Sequence, residues 1–442
     1  MKTISSPINS LFSDRVAIAT LLAITLVVRV IVLWAMQENL RQDPDAYREI
    51  AENLLQHGVF GLGNSDSPVP TAFRPPLYPI ALSAIGASGA AISGIEVATL
   101  HVLLGLGTVL LTYLAARRMQ STMMGALVAG LIVACDPILL NHQTLVMTET
   151  LATCLAILAL WSLVWRDRHQ HWSGAALAGF AIGLAILCRP VFLPWLGLVA
   201  IGMVVNRRIV ATDETRIDTD NIKSLKQRFV NLTVMLVTAA VIVAPWVIRN
   251  QMVFGKPIAT TTHGGYTLWL GNNESFYRHV SQDTSGLPWE VSSTNTPLDN
   301  QPRMSELEAD EVHKAAAWKT IRANPALFLR ASVFRIWQLW SPLPNQLTAK
   351  ESLARRVLRY ATAAWYCGVY LLAAIGAWKL RRRLLTAPWV WGLLLCLTFT
   401  AVHSIYWSNL RMRAPLMPFV ALIASAAIGH SSRSKLPLEA SL

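Results

Sequence analysis

Charge is what this sequence has least of. Only 14% of its 442 residues are Asp, Glu, Lys or Arg, while 53% are hydrophobic. A soluble chain of this size needs far more charge to cover its surface, so that class is excluded. Acids are the scarcer sign, 25 against 38 basic residues, for a net charge of +13. The basic residues sit beside apolar runs, where they act as orientation signals, so the excess points to no nucleic-acid partner. Cysteine is sparse as well. Cys135, Cys154, Cys188, Cys367 and Cys396 fall in or near apolar runs without metal-ligand spacing, and read as core packing. Neither an internal repeat nor a low-complexity tract is evident.

What is present is a series of apolar runs of about 17–22 residues, the length that crosses a hydrocarbon core. The first, Val16 to Met36, follows Lys2 and Arg15 as a signal peptide would. It is too long for a typical signal-peptide core and lacks a small-residue cleavage site, which predicts a retained helix. The dense basic clusters are Arg117/Arg118, Arg166/Arg168, Arg207 to Arg228, Lys379 to Arg383 and Arg433/Lys435. One arrangement puts all of them in the cytoplasm with the N-terminus. Its spans are about 16–36, 95–116, 123–141, 148–165, 173–188, 191–205, 229–248, 356–378, 388–406 and 413–429, about ten crossings with both termini inside.

The fold class expected is therefore an all-α polytopic membrane protein with a mixed extracytoplasmic loop region. Leu77 to Ile92, interrupted by Pro79, Gly86 and Gly89, and Ala326 to Ser341, carrying Arg330 and Arg335, are expected at the membrane surface. Counting either as a span would turn basic clusters outward. Two large segments, 37–94 and 249–355, then face outside. The expected organisation is a transmembrane core over 1–248, an outer region over 249–355 and C-terminal helices over 356–442. In the outer region, Ser305-Glu-Leu-Glu308 has the form of a capping box, opening a helix that Asn324-Pro325 closes. Thr260 to Asn300, rich in Gly, Ser, Thr, Asn and Pro, is expected to be loop with little regular structure.

Chemistry is expected where acids crowd the outer lip. Asp43 and Asp45 follow the first span and precede a helical pattern with Tyr47, Ile50, Ala51, Leu54 and Leu55 on one face. Asp43 as helix cap with Pro44 at the first helical position is the plain structural reading. An acid at such a helix start can also accept a proton from a substrate hydroxyl. Glu149, preceded by His142, opens the fourth span, and an acid that close to hydrocarbon suggests function. Arg29 lies inside the first span, where an unpaired guanidinium costs about 3 kcal/mol, so it must face a partner or a polar cavity. Arg74, Arg189, Arg249, Arg411 and Arg413 gather on the outer side and suit a phosphate at headgroup depth.

Eight pieces of the chain, in order, resemble the polytopic GT-C glycosyltransferases. The pieces are Asp43-x3-Tyr47 with Ala51 and Leu54-Leu55, Arg74-Pro-Pro-Leu-Tyr-Pro79, Thr148-Glu149-Thr-Leu, Cys188-Arg-Pro190, Ala244-Pro-Trp-Val-Ile-Arg-Asn250, Gly264-Gly-Tyr-Thr-Leu-Trp-Leu-Gly-Asn272, Asn324-Pro-Ala-Leu-Phe-Leu329 and Arg411-Met-Arg-Ala-Pro-Leu-Met-Pro418. Among these, the chain resembles the protein O-mannosyltransferases and the lipid A aminoarabinose transferase. The resemblance implies a bacterial inner-membrane enzyme that moves a sugar from a polyprenyl-phosphate donor to a hydroxyl of a glycolipid or protein on the extracytoplasmic face. It implies Asp43 as general base, with Asp45 as alternative, and Glu149 as a second acid. Arg249, Arg411, Arg413, Arg189 and Arg74 would bind donor phosphate, and Tyr47, Tyr78, His142 and Asn250 would contact substrate. Many relatives place a second acid directly after the first, whereas Pro44 follows Asp43 here. No cofactor is required by this reading, and a divalent metal stays open. A polysaccharide polymerase or ligase is one alternative. A transporter of lipid-linked sugar is another, although transporters place ionisable groups near midplane within repeated halves.

Overall fold

The computed structural model describes residues 7–63, 67–86, 91–169, 171–205, 219–282, 289, 296–299, 304–346 and 351–429. Much of the basic stretch from Arg207, the pair Arg433/Lys435 and much of 283–303 lie outside the described residues. The first part of the chain forms α1 (Pro7–Ala35), α2 (Tyr47–His57), a short antiparallel ribbon of β1 (Gly61–Leu62) and β2 (Val69–Pro70), and α3 (Leu77–Ile85). Then come α4 (Gly94–Arg118), α5 (Met123–Ala134), α6 (Pro137–His142), α7 (Glu149–His169), α8 (Trp172–Cys188), α9 (Phe192–Val205) and α10 (Thr219–Phe254). Next are α11 (Gly264–Gly271), α12 (Glu274–Ser281), α13 (Glu306–Ala323) and α14 (Pro325–Trp340). The chain closes with α15 (Leu353–Leu380), α16 (Trp389–Ile405), a 3-10 turn over Leu410–Leu416 and α17 (Met417–Ser425).

The apolar runs read from the sequence all fall on these helices, but two are divided: 123–141 is shared between α5 and α6, and 413–429 between the 3-10 turn and α17. Five are long and apolar enough to cross a membrane by length and composition: α1, α4, α7, α10 and α15. Shorter apolar helices, α5, α8, α9 and α16, accompany them. Their burial divides them by role. The apolar window of α7 is 78% buried, whereas those of α1, α4, α10 and α15 are buried by 28%, 39%, 22% and 22%. So α7 is the hub, packed on α4 and α8, and the other long helices turn apolar surface outward. On α1 that surface includes Val27, Val30, Ile31 and Trp34, all exposed. Such a face is stable only against lipid.

Polar caps set where the helices begin. Ser93 and Glu96 form a capping box on α4, and Ser305 and Glu308 form the expected one on α13, which ends at Ala323 before Asn324-Pro325. Two expectations need correction. The described part of Thr260 to Asn300 is not all loop, because α11 and α12 lie within it. Its Gly264-Gly265 pair reads as a breaker, yet Gly265 serves close packing: a Cβ there would stand 2.0 Å from the Asp310 carbonyl oxygen. Asn273 caps α12 by accepting from Phe276 N–H, and Phe276, Tyr277 and Val280 bury one face. The second correction concerns α2. Pro44 is not its first residue; the helix starts at Tyr47, after Ala46 in the left-handed region at φ 57°.

Candidate active site

The start of α2 carries the first acids. Asp43 lies ahead of the helix, and its carboxylate accepts from Tyr47 N–H at 2.9 Å and Glu49 N–H at 3.0 Å. It therefore does the work of a cap from outside the first turn, satisfying donors that have no intrahelical partner. Burial holds its carboxyl above the usual carboxylate range, opposed by those backbone bonds. Asp45 points another way. Its Oδ1 pairs with Arg74 Nη2 at 2.8 Å, and Arg74 Nε donates to its carbonyl oxygen at 2.8 Å. The Arg74 guanidinium also lies over the rings of Phe73 and Tyr47, at 4.8 and 5.5 Å from their centroids.

Glu149 is the first residue of α7 and is 1% exposed. Arg189, at the end of α8, donates from Nη2 to Glu149 Oε1 at 2.7 Å and from Nε to Thr148 Oγ1 at 3.0 Å. Arg411, in the 3-10 turn before α17, stands between the acids. Its Nε is 3.6 Å from Glu149 Oε1, and its Nη1 is 3.8 Å from Asp45 Oδ2 and 3.0 Å from Met147 Sδ. The second carboxylate oxygen of Glu149 and the Nε of Arg411 are buried without a hydrogen-bond partner among the described residues.

Tyr47 completes the centre. It is buried, with Arg74, Asp45, Arg189 and Glu149 as its charged neighbours, and burial raises its phenol well above the usual range. Tyr78 on α3 meets it edge-on, ring centroids 5.3 Å apart. His142 is buried beside Glu149, Arg411 and Arg189, its Nδ1 donating to the Ile138 carbonyl at 2.9 Å. So Asp45, Glu149, Arg74, Arg189, Arg411, Tyr47, Tyr78 and His142 come together from α2, α3, α6, α7, α8 and the turn before α17. Asp43 stands at the edge of this group.

Three expected residues are placed elsewhere. Arg249 donates to the carbonyls of Phe60 and Thr71, both at 2.8 Å, and to Asn250 Oδ1 at 2.9 Å, among the rings of Phe60, Trp246 and Phe254. Asn250 in turn donates to the Ile258 carbonyl at 2.9 Å. Both tie α10 to the ribbon and to the loop before α11. Arg413 is fully buried, donates to the carbonyls of Leu339 and Ser341 at 3.1 and 2.6 Å, and lies 4.1 Å from the Tyr366 ring centroid. Thr148 belongs to a sequence motif without an assigned role, and sequence reasoning passes over Met147 and His263. The last packs at 4.2 Å from the Phe73 ring beside Arg74, and burial lowers its imidazole to about 3. Nothing in the spacing of His263 signals that placement. Among the described residues no group of three or more His, Cys, Asp or Glu side chains is placed to hold a metal ion.

The fold is all-α, with helices long and apolar enough to cross a membrane, and solved structures share it. Residues 47–254 match the family model described as dolichyl-phosphate-mannose-protein mannosyltransferase. Among solved structures, the apo oligosaccharyltransferase of Archaeoglobus fulgidus aligns over 93% of this chain at 15% identity, with a TM-score of 0.55. The same archaeal protein in complex with an inhibitory peptide and a dolichol-phosphate aligns over 95% at 14% identity, with a TM-score of 0.52. The chain spans 50% of the length of either archaeal structure. ArnT from Cupriavidus metallidurans bound to undecaprenyl phosphate is a weaker match, TM-score 0.41 at 15% identity over 93% of this chain and 77% of that one. No curated protein matches the chain.

Proposed function

We propose that the chain transfers a sugar from a polyprenyl-phosphate donor to a hydroxyl acceptor, a glycolipid or a protein, on the extracytoplasmic face of a bacterial inner membrane. The observation that carries this reading is Arg411, a guanidinium held only loosely between Asp45 and Glu149 at the mouth of the helices. Guanidinium pairs phosphate oxygens two at a time, and Arg411 has the donors to spare. Arg189 and Arg74 stand beside it, already oriented by Glu149 and Asp45. The matching family model and the archaeal fold, one of whose structures carries a dolichol-phosphate, support the same substrate class.

Asp43 is assigned the proton. Its carboxyl, raised by burial against the opposing backbone bonds and the Arg48 charge, is a stronger proton acceptor than an ordinary aspartate. It takes the acceptor hydroxyl proton as that oxygen bonds to the anomeric carbon. The bond from that carbon to the phosphate oxygen breaks, and polyprenyl phosphate leaves with its charge against Arg411 and Arg189. A single displacement of this kind inverts the anomeric centre. Asp45 and Glu149 then serve as anchors of the arginines rather than as bases. Arg249, Asn250 and Arg413 leave the phosphate site in this reading, because they clasp backbone carbonyls and neighbouring loops. The test is mass spectrometry of lipids from a strain lacking the chain. Accumulation of a polyprenyl-phosphate sugar that complementation clears is the expected result, and an unchanged lipid-linked sugar pool refutes the reading.

A further inference from the structure

A line of buried polar side chains runs from inside the bundle to the centre of this site. Arg29, on α1, is 1% exposed and donates from Nη1 to Gln143 Oε1 at 2.9 Å. Gln143 returns a bond from Nε2 to the Arg29 carbonyl at 3.3 Å. Its own carbonyl lies 2.7 Å from Nδ1 of His101, on α4. His101 Nε2 lies 2.8 Å from the Tyr78 hydroxyl, and Tyr78 meets Tyr47. Gln143, His101 and Tyr78 are all fully buried.

The chemistry of the line fixes its polarity. A carbonyl oxygen only accepts, so His101 Nδ1 carries the hydrogen. In the neutral ring Nε2 is then the acceptor, and Tyr78 O–H donates to it. That leaves the phenol held in one rotamer, with its ring pressed on Tyr47. Space for the line is provided on α4 one turn below His101. A Cβ at Gly105 would stand 2.3 Å from Arg29 Cζ, so a side chain there would push the guanidinium off its present line across α4 to Gln143.

We propose that His101, with Gln143 and Arg29 behind it, is a positioning residue that fixes Tyr78 and, through it, Tyr47 at the centre of the acid–arginine cluster. Its consequence for donor binding rests on the proposed function, whereas its tautomer does not, and the experiment keeps the two apart.

The first arm is nitrogen-15 NMR of the full chain in detergent with labelled histidine, the His101 signals identified by their loss in His101→Asn. The expected result is a neutral ring protonated at Nδ1 across about pH 5–8, with an Nε2 resonance that moves in Tyr78→Phe. A ring protonated at Nε2, a cationic ring, or an Nε2 signal indifferent to Tyr78→Phe overturns the inference. The second arm measures the dissociation constant for undecaprenyl phosphate in wild type, Tyr78→Phe, His101→Asn and the double variant, with thermal unfolding alongside. Each single change is expected to weaken binding roughly fivefold to tenfold, the size of one lost buried hydrogen bond, and the double change no further. Losses that multiply, or wild-type affinity in both single variants, overturn the positioning role. A wild type that does not bind undecaprenyl phosphate refutes the proposed donor instead, and the NMR arm then decides the line by itself.

Discussion

Glu149 binds Arg189 through one carboxylate oxygen at 2.7 Å, and its other oxygen is buried without a hydrogen-bond partner among the described residues. A buried carboxylate keeps such an arrangement only where it anchors a charged partner or awaits a donor. Glu149 does the first for Arg189 and stands 3.6 Å from the second arginine, Arg411. The lip is thus an acid-anchored arginine pair next to a capped, half-buried aspartate.

Replacing Arg411 tests the phosphate assignment. Arg411→Ala is expected to weaken undecaprenyl phosphate binding about 10- to 100-fold, the range of one charge-assisted hydrogen bond. Arg411→Lys keeps the charge but loses the fork and should recover only part of it. Titration of the purified variants with the lipid phosphate checks this, and wild-type affinity in the Ala variant removes Arg411 from the site.

Arg249 should behave differently. Its donors hold the Phe60 and Thr71 carbonyls, which leaves those oxygens unpaired when it is cut back. Arg249→Ala is expected to cost about 2–4 kcal/mol of stability. The measurement is thermal unfolding in detergent beside lipid-phosphate binding. A large affinity loss at unchanged unfolding temperature would return Arg249 to the phosphate site.

The acid limb of the pH profile reports on Asp43. Burial raises its folded carboxyl, so the basic form appears at higher pH than for an exposed aspartate near 4. Transfer should therefore rise with pH above about 4 and level off once Asp43 is ionised. The same direction makes the folded state bind the proton more tightly than the unfolded one. Asp43 then adds stability below its unfolded value, and that contribution is lost as pH rises through the folded value. Asp43→Asn should flatten this part of both the rate and the stability profile. An acid limb that survives in Asp43→Asn assigns it to another group.

Much of the fold was legible in the sequence because apolar length and basic clusters act locally. The capping box Ser305 to Glu308 was legible for the same reason, all its bonds closing within four residues. The helices α11 and α12 were not, since Gly264-Gly265 reads as a turn until Asp310 is seen against it. At the site, Glu149, Arg189 and Arg411 each stood out by position. Their mutual pairing joins residues as much as 262 positions apart, a distance no local pattern encodes (411 − 149). Arg29 announced its need for a partner through its depth, while the partner, Gln143, depended on how α1 crosses α4. Arg249 is a different case: an arginine at a helix mouth reads as a ligand group, and only the folded chain brings the Phe60 and Thr71 carbonyls to it.

The central claim is that Asp43 is the base of a polyprenyl-phosphate-dependent transfer. The direct measurement is release of free polyprenyl phosphate when purified wild type, Asp43→Asn and Asp45→Asn are supplied with a membrane extract of the host's lipid-linked sugars and acceptors. Asp43→Asn keeps the size of the side chain and an oxygen to accept from the α2 N–H groups, so folding should be retained. Release is predicted to fall about 10²–10⁴-fold in Asp43→Asn and less in Asp45→Asn. Full release by Asp43→Asn contradicts the account; if Asp45→Asn is then inactive, the base is Asp45.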